Sequence, residues 1–517
     1  MPATLSIFSR FIEALSVPHT SNYTEEIYQE NPYKHTLYGL SILLKKYKVD
    51  NFAIRVDDKH ELMKGGVPFI AEVSDDLVIV TSINKAQVKY DWYGEIVTKS
   101  LDEFLHIWTG VVLFASPNEA SQEPNYEEHR KLQNVQKGMR YAFLFSVVVL
   151  LVYGGYSNGV LDSYICIPQI LLNIIGVYLS YLLLLKQLHI QSNTADRICN
   201  IRKKSSCNDV LETSAAKTIG GIGWSEVGFA YFFTNLCILC LHPQWISYLE
   251  IVSFCSLGYV AWSIWYQRIK AHAWCMLCLM VQLVFVLQVA CFISVNSHER
   301  PINYINIPLD VLSILGCYII ILFVLNFMIS SVSATKKELQ LKYNYNSLLA
   351  QEKVFNALQE EQDTYLIDNA SHIVFGAKHA DFVITIFSNP YCNPCANMHK
   401  RLNELVDSDC CIQYVFTSFN DKLSIINKYF IAAYQTLGAE RTWKILTEWY
   451  ERGKGRGEAF FKEMKLTTDT KAVTEEFELH EMWRQYTKFN ATPTILVNGK
   501  KLAQPYQVEN LKYFIED

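Results

Sequence analysis

Eight of the fourteen cysteines in this 517-residue chain fall in pairs: Cys199/Cys207, Cys237/Cys240, Cys275/Cys278 and Cys392/Cys395. A thiolate is the attacking group of disulfide exchange, and two thiols three residues apart on a helix share a face and can close a disulfide. Cys275 and Cys278 stand where a polar connection turns into a continuous apolar run, so a helix start with its free N–H groups can favour a thiolate there. Trp274 beside them marks a membrane interface. Cys199 and Cys207 lie in the polar loop ICNIRKKSSCNDVL. Between the two pairs are apolar segments at 226–242 and 248–266, each close to the ~20 residues a spanning helix needs. Two crossings return the chain to the side it left, so both pairs face one aqueous compartment, as a thiol relay requires. Cys237 and Cys240 lie ~20 Å along their helix from Trp224, toward the other membrane face, and read as packing. Cys166, Cys255, Cys291 and Cys317 are isolated small apolar residues in or beside spans.

The C-terminal pair has a different setting. In HADFVITIFSNPYCNPCANMHKRLNEL a buried strand and a turn lead to Cys392-Asn393-Pro394-Cys395 at the start of an amphipathic helix. Cys392, nearer the exposed helix start, is the expected nucleophile and Cys395 the resolving thiol. Nearly a hundred residues on, FNATPTILVNGKKL puts Thr492-Pro493 before a strand with an Asn-Gly hairpin turn. Zinc is the rival for a Cys-x-x-Cys. No second Cys or His pair stands at ligand spacing and Cys410-Cys411 is adjacent in a strand-like stretch, so no metal is expected.

Length alone suggests about three domains. Half of the residues are hydrophobic, 13% are aromatic and only 19% charged, an average that hides two soluble-looking ends around an apolar middle. The net charge of −5 argues against a nucleic-acid partner. Six apolar runs, 141–157, 168–187, 226–242, 248–266, 274–294 and 308–330, predict a membrane bundle over 141–331. An α+β domain is expected over 1–120, from helix periodicity in LYGLSILLKKY and strand alternation in PFIAEVSDDLVIVTS. A linker then runs over 121–140, a helical tether over 332–365 and an α/β domain over 366–517. The N-terminus has no long apolar core, and no cleavable signal is expected. Positive charge collects on the redox side, at Arg130, Lys131, Lys137, Arg140, Arg197, Arg202, Lys203, Lys204, Arg268, Lys270, Lys336 and Lys337, against Arg300 opposite. The positive-inside rule therefore favours a cytoplasmic redox face.

Three resemblances sharpen this reading. The spacing Cys199-x7-Cys207, the run CNDVLETSAAKTIGGIGWSEVGFAYF and Trp-Cys-Met-Leu-Cys resemble the vitamin K epoxide reductase family over about residues 160–330. The strand, Cys-x-x-Cys helix and later Thr-Pro resemble the thioredoxin fold, with 421–485 similar to the helical insertion of periplasmic disulfide oxidases. HTLYGLSILLKKYKVDNFAIRV with VPFIAEV and DDLVIVT resembles a peptidase C39-type, papain-like domain over roughly 10–117. That domain would be non-catalytic: it has no Cys, Asp76 stands near the family's strand His, and His19, His35, His60 and His106 read as surface or packing residues. The fold class is thus a multidomain chain, an α-helical transmembrane bundle between a papain-like α+β domain and a thioredoxin-fold α/β domain.

The resemblance implies a membrane thiol-disulfide oxidoreductase in a bacterial cytoplasmic membrane, working on thiol-containing proteins or peptides with a quinone, ubiquinone or menaquinone, as electron acceptor. Cys199 and Cys207 would shuttle between Cys392/Cys395 and the membrane pair, Cys275 would share a mixed disulfide with Cys207, and Cys278 would face the quinone. Pro493 would be cis and, with Thr492, position substrate. Thr213, Ser214 and Gln282 are quinone-side candidates; Gln282 stands where mammalian members carry Tyr. Most bacterial members work toward the periplasm, against the charge bias above. A peptide-binding component of a peptide-maturation or export assembly is the alternative function.

Overall fold

The computed structural model describes residues 5–56, 66–74, 76–160, 163–188, 190, 192–199, 222–294 and 307–515. The chain divides into two compact units, 1–343 and 344–517.

In the first unit, three short helices, Ile7–Ala14, Ser21–Glu30 and Leu37–Lys46, precede a six-stranded antiparallel sheet. Its strands are β1 (Asp50–Arg55), β2 (Phe69–Val73), β3 (Asp76–Ile83), β4 (Gln87–Trp92), β5 (Glu95–Ser100) and β6 (Trp108–Ser116), in the order β1-β6-β2-β3-β4-β5. Ser6 and Thr36 cap the first and third helices through their hydroxyls. Phe8, Phe11, Leu40, Leu44 and Tyr47 pack against Ile70, Ile79 and Leu113 of the sheet. The alternation in β3 and β4 buries Val80, Val88 and Tyr90 on the other face, against Phe104 of the helix Leu101–Ile107. Asp76 opens β3, where its carboxylate accepts from Trp92 Nε1 at 3.3 Å and Tyr93 Oη at 3.0 Å.

The expected linker at 121–140 is a correction. From Tyr126 it is helical, and one 32-residue helix, Tyr126–Ser157, continues into the apolar run. Glu127 and Glu128 in its first turn suit the helix dipole, and beyond Gln122-Glu123-Pro124 no residue breaks it. All six apolar runs form helices: Tyr126–Ser157, Cys166–Gln187, Trp224–Leu241, Ile246–Trp265, Met276–Ser294 and Ile307–Leu349. Five are long and apolar enough to cross a membrane. Ile246–Trp265 falls outside that set although it has 20 residues; Glu250 and its four serines dilute the apolar run. Phe145 and Tyr153 are 71% and 70% exposed, a surface that water would not tolerate along a whole helix and lipid does. This is a multi-pass membrane protein.

Within the bundle, Cys166–Gln187 packs closely on Trp224–Leu241 and Met276–Ser294. Gly176 permits that approach, since a Cβ there would lie 2.4 Å from the Phe232 ring. At the redox end, the buried Glu226 carboxylate ties three segments. It accepts from Gly223 N at 3.0 Å, from Gln187 Nε2 at 3.0 Å and from Asn326 Nδ2 at 3.1 Å. The long helix Ile307–Leu349 also meets the N-terminal domain, where Lys342 pairs with Glu30 at 3.0 Å and Lys34 Nζ lies 3.9 Å over the Tyr343 ring.

The second unit is built on a five-stranded sheet of β7 (Val374–Gly376), β8 (Val383–Ser388), β9 (Cys411–Phe416), β10 (Thr494–Val497) and β11 (Lys500–Lys501), ordered β11-β10-β8-β9-β7. Only β8 and β9 are parallel. The β10–β11 turn is the expected Asn498-Gly499, both at positive φ. Helices Asp421–Leu437, Ala439–Glu448 and Lys471–Thr487 form the insertion between β9 and β10. Trp449 is fully buried there and donates through Nε1 to Pro390 O at 2.8 Å, so the insertion braces the loop leading to Cys392.

Two stability predictions follow from buried carboxylates. Glu226→Ala leaves its donors unpaired in a dry interior, at about 1–3 kcal/mol for each orphaned group; the detergent-solubilised variant should melt well below the native chain, and Glu226→Gln, which keeps an acceptor, between the two. Burial alone would raise Glu476, but the hydrogen bond and charge of His480, with hydrogen bonds from the His372 ring and backbone, outweigh it and bring the carboxyl down to about 2. A depressed folded-state value gives stability that is present above the ordinary carboxylate range and lost as pH falls toward 2. Acid unfolding of the second unit, followed by Trp483 and Trp449 fluorescence, should therefore be shallower over that window in Glu476→Gln.

Candidate functional site

Two dithiol sites share one local geometry. Cys392 is the N-cap of the helix Asn393–Leu402, whose second residue is Pro394, suited to a helix start that has no N–H to satisfy. Its sulfur accepts the Cys395 backbone N–H at 3.3 Å. In the bundle, Cys275 stands one residue before Met276–Ser294, and its sulfur accepts the Cys278 N–H, also at 3.3 Å.

Access is reversed between the two. Cys392 is half-buried and within 3.4 Å of Thr492 O, beside the cis Thr492–Pro493 bond, while Cys395 is fully buried. Burial, then the hydrogen bond to Cys392, pushes the Cys395 thiol up to about 12. Cys392 is thus the accessible sulfur of the pair, and Cys395 the sealed one, whose protonated form burial favours. Behind them, burial holds His399 down to about 3, a neutral imidazole between Tyr414 Oη at 2.8 Å and Thr447 Oγ1 at 2.9 Å.

In the bundle it is Cys275 that is fully buried, while Cys278 reaches the wall of a 320 Å³ cavity. Trp224, Tyr259, Trp262 and Tyr266 also line it. Their rings lie near one another, with Trp224 centroids 4.8 Å from Tyr259 and 5.4 Å from Trp262. The polar part of the wall includes Ser263 and Gln267. Ser263 Oγ accepts from Gln282 Nε2 at 2.6 Å and from Gln267 Nε2 at 3.3 Å, and Gln267 Oε1 accepts the Cys275 N–H at 3.0 Å. Gln267 can do this because Tyr266–Lys270 is a π-helical turn, which re-aims the end of the preceding helix. An apolar cavity of this size with aromatic walls and convergent hydroxyl and amide groups fits a planar ring bearing carbonyl oxygens.

Of the expected site residues, the fold brings Cys199 into the packed cluster that holds Cys275. Cys199 is disulfide-bonded and ends the helix Asn193–Cys199, which Asp196 pins to Lys186. Cys207, Thr213 and Ser214 lie outside the described residues. Gln282 is buried and reaches the cavity wall through Ser263. Cys240 sits at the other end of its helix from Trp224, where its carbonyl accepts from Asn158 Nδ2. Sequence reasoning missed Tyr259, Trp262, Ser263, Tyr266 and Gln267. The signal was present, since 259, 262, 263, 266 and 267 follow helical spacing on one face.

Residues 167–293 match the vitamin K epoxide reductase family, and residues 368–517 match the thioredoxin family. No curated protein sequence matches the chain. Among solved structures, oxidised BdbD from Bacillus subtilis is 16% identical, covering 30% of this chain and 94% of that one, with a TM-score of 0.25. The catalytic domain of Proteus mirabilis ScsC is 16% identical over 30% and 93%, with a TM-score of 0.25. DsbA from Xylella fastidiosa is 16% identical over 27% and 87%, with a TM-score of 0.23. The chain carries a vitamin K epoxide reductase family domain at 167–293, followed by a thioredoxin-like domain at 368–517.

Proposed function

We propose that this thiol-disulfide oxidoreductase forms disulfides in other proteins or peptides and hands the electrons to a membrane quinone. A substrate thiolate attacks the Cys392 sulfur of the Cys392–Cys395 disulfide and releases Cys395 as a thiol, and a second substrate thiol then displaces Cys392, closing the substrate disulfide and leaving the pair reduced. The pair then passes its two electrons to Cys199/Cys207, and these to Cys275/Cys278. A quinone in the aromatic-walled cavity would take up two electrons and two protons as the Cys275 and Cys278 thiols close to a disulfide. Ser263 and Gln267 orient polar groups at the cavity wall, Trp224, Tyr259 and Trp262 hold a planar ring, and the apolar lining excludes water. The observation that carries this reading is the presence of Cys278 on the cavity wall, backed by a sulfur that already accepts its N–H.

A second reading concerns residues 1–120, proposed here as a non-catalytic, C39-like peptide-binding module. Leu15, Phe52, Val67, Pro68 and Phe114 line an open groove beside the edge strand β1. Both readings can hold in one chain, with the redox part serving the bound peptide.

The relay is tested by Cys278→Ser. Quinone reduction driven by a dithiol substrate should fall at least about a hundredfold, to the level of the uncatalysed reaction, while mixed-disulfide formation between Cys392 and the same substrate persists. Retained quinone reduction would sink the relay. Deleting 1–120 should leave quinone reduction intact and remove peptide binding if the groove is the peptide site. For sidedness, disulfide formation calls for an oxidising compartment, whereas the flanking Lys and Arg argue for the cytoplasm. After a permeant reductant, an impermeant maleimide should label Cys392 and Cys395 in intact cells, in a variant lacking the other cysteines. Protection until lysis would turn the proposal toward cytoplasmic peptide maturation or reduction.

A further inference from the structure

One charged side chain of the helical insertion reaches the reactive sulfur's own turn. Lys454 follows the π-helical turn Trp449–Gly453, and its Nζ lies 3.2 Å from Cys392 O and 3.0 Å from Asn393 Oδ1. The ammonium also stands 5.2 Å from the centroid of the Tyr450 ring. The placement is enforced from below. Trp449 is locked under the loop by its bond to Pro390 O, and Gly453 fits between the Trp449 and Phe460 rings, where a Cβ would lie 2.8 Å from Trp449. Partial burial draws Lys454 below the usual lysine value while the two sulfurs act in the opposite sense, so ammonium and sulfurs are within electrostatic reach. Neither contact requires a charge, because a carbonyl and an amide oxygen would accept from any neutral donor. The positive charge at the helix start is what remains to be explained.

We propose that Lys454 is a positioning residue that sets the oxidising strength of the Cys392–Cys395 pair: its ammonium stabilises the Cys392 sulfur as an anion, and so favours the reduced pair over the disulfide. The inference rests on the thiol-disulfide reading above. The exchange it tunes is balanced: the Cys392–Cys395 disulfide and two glutathione thiols give two cysteine thiols and one glutathione disulfide, with two electrons and two protons transferred. Stabilising the anion that leaves when the pair is reduced draws this equilibrium toward the reduced pair and makes the disulfide the stronger oxidant.

The test uses the full chain in detergent, equilibrated in glutathione buffers. The redox state is read by differential alkylation and mass spectrometry of the tryptic peptide 379–400, which contains both cysteines and no others. Lys454→Gln keeps a hydrogen-bond donor and removes the charge. Its equilibrium constant for reduction should fall by about tenfold, ~30 mV toward a more reducing couple. Lys454→Glu should move it further the same way, and Lys454→Arg should restore the native value. Raising the salt concentration should narrow the difference between the native chain and Lys454→Gln. An unshifted Lys454→Gln in a chain whose native pair exchanges normally would overturn this inference alone, as would a Lys454→Arg shifted as far as Lys454→Gln. A native pair that never exchanges with glutathione would overturn the thiol-disulfide reading and this inference with it.

Discussion

The structure turns on a sulfur used as a helix cap. The first N–H groups of a helix have no intrahelical partner, and Ser, Thr, Asp or Asn usually supplies the acceptor. Here Cys392 and Cys275 supply it, each accepting the N–H of the cysteine three residues on at 3.3 Å. A helix start that depends on the reactive atom favours that atom when it is charged, because an ionised acceptor makes the stronger bond. The same contact holds the second cysteine in register for closing the disulfide.

Around that shared contact the two domains invert what is buried. In the thioredoxin-like domain the capping sulfur is reachable and its partner is sealed. In the bundle the capping sulfur is sealed, and its partner stands on the cavity wall. In the proposed relay this inversion has a reason: a pair that meets large substrates needs its outer sulfur at the surface, and a pair that meets a ring in the bilayer needs its outer thiol toward the apolar cavity. The inversion requires different supports. Under Cys392 lie an aromatic insertion anchored by Trp449 and the neutral His399; beside Cys275 lies an amide, Gln267, brought round by a π-helical turn.

Much of this was legible in local sequence. The cysteine pairs, the apolar runs, Thr492-Pro493 and the Asn498-Gly499 turn depend on neighbours within a few residues, and the described parts of each form where expected. The helix beginning at Tyr126 was hidden because the Pro-, Ser- and Glu-rich stretch from Ser116 to Pro124 reads as a linker, while the charged residues after it are equally good helix formers. The aromatic wall was hidden for another reason. Tyr259, Trp262 and Tyr266 in an apolar run look like packing, and only the helices facing them decide whether that face is filled or left open. Lys454 had no local signal at all, being 62 residues from Cys392 and aimed by the burial of Trp449.

Carrying both dithiols on one chain changes the kinetics of the proposed relay more than its thermodynamics. Exchange between separate proteins depends on encounter, whereas a tether such as 332–365 replaces encounter with an effective concentration, about millimolar for short flexible linkers. Much of that segment is helical here, as Ile307–Leu349 and Glu352–Glu360, and a stiff tether gains only when its reach matches the span. Ala350 and Gln351 separate the two helices. Potentials still govern the direction: each successive dithiol must be the better oxidant of the one before it. A charge that strengthens Cys392–Cys395 as an oxidant of substrate therefore also makes that pair harder to reoxidise, and the proposed relay works only if its membrane pair and quinone lie further downhill.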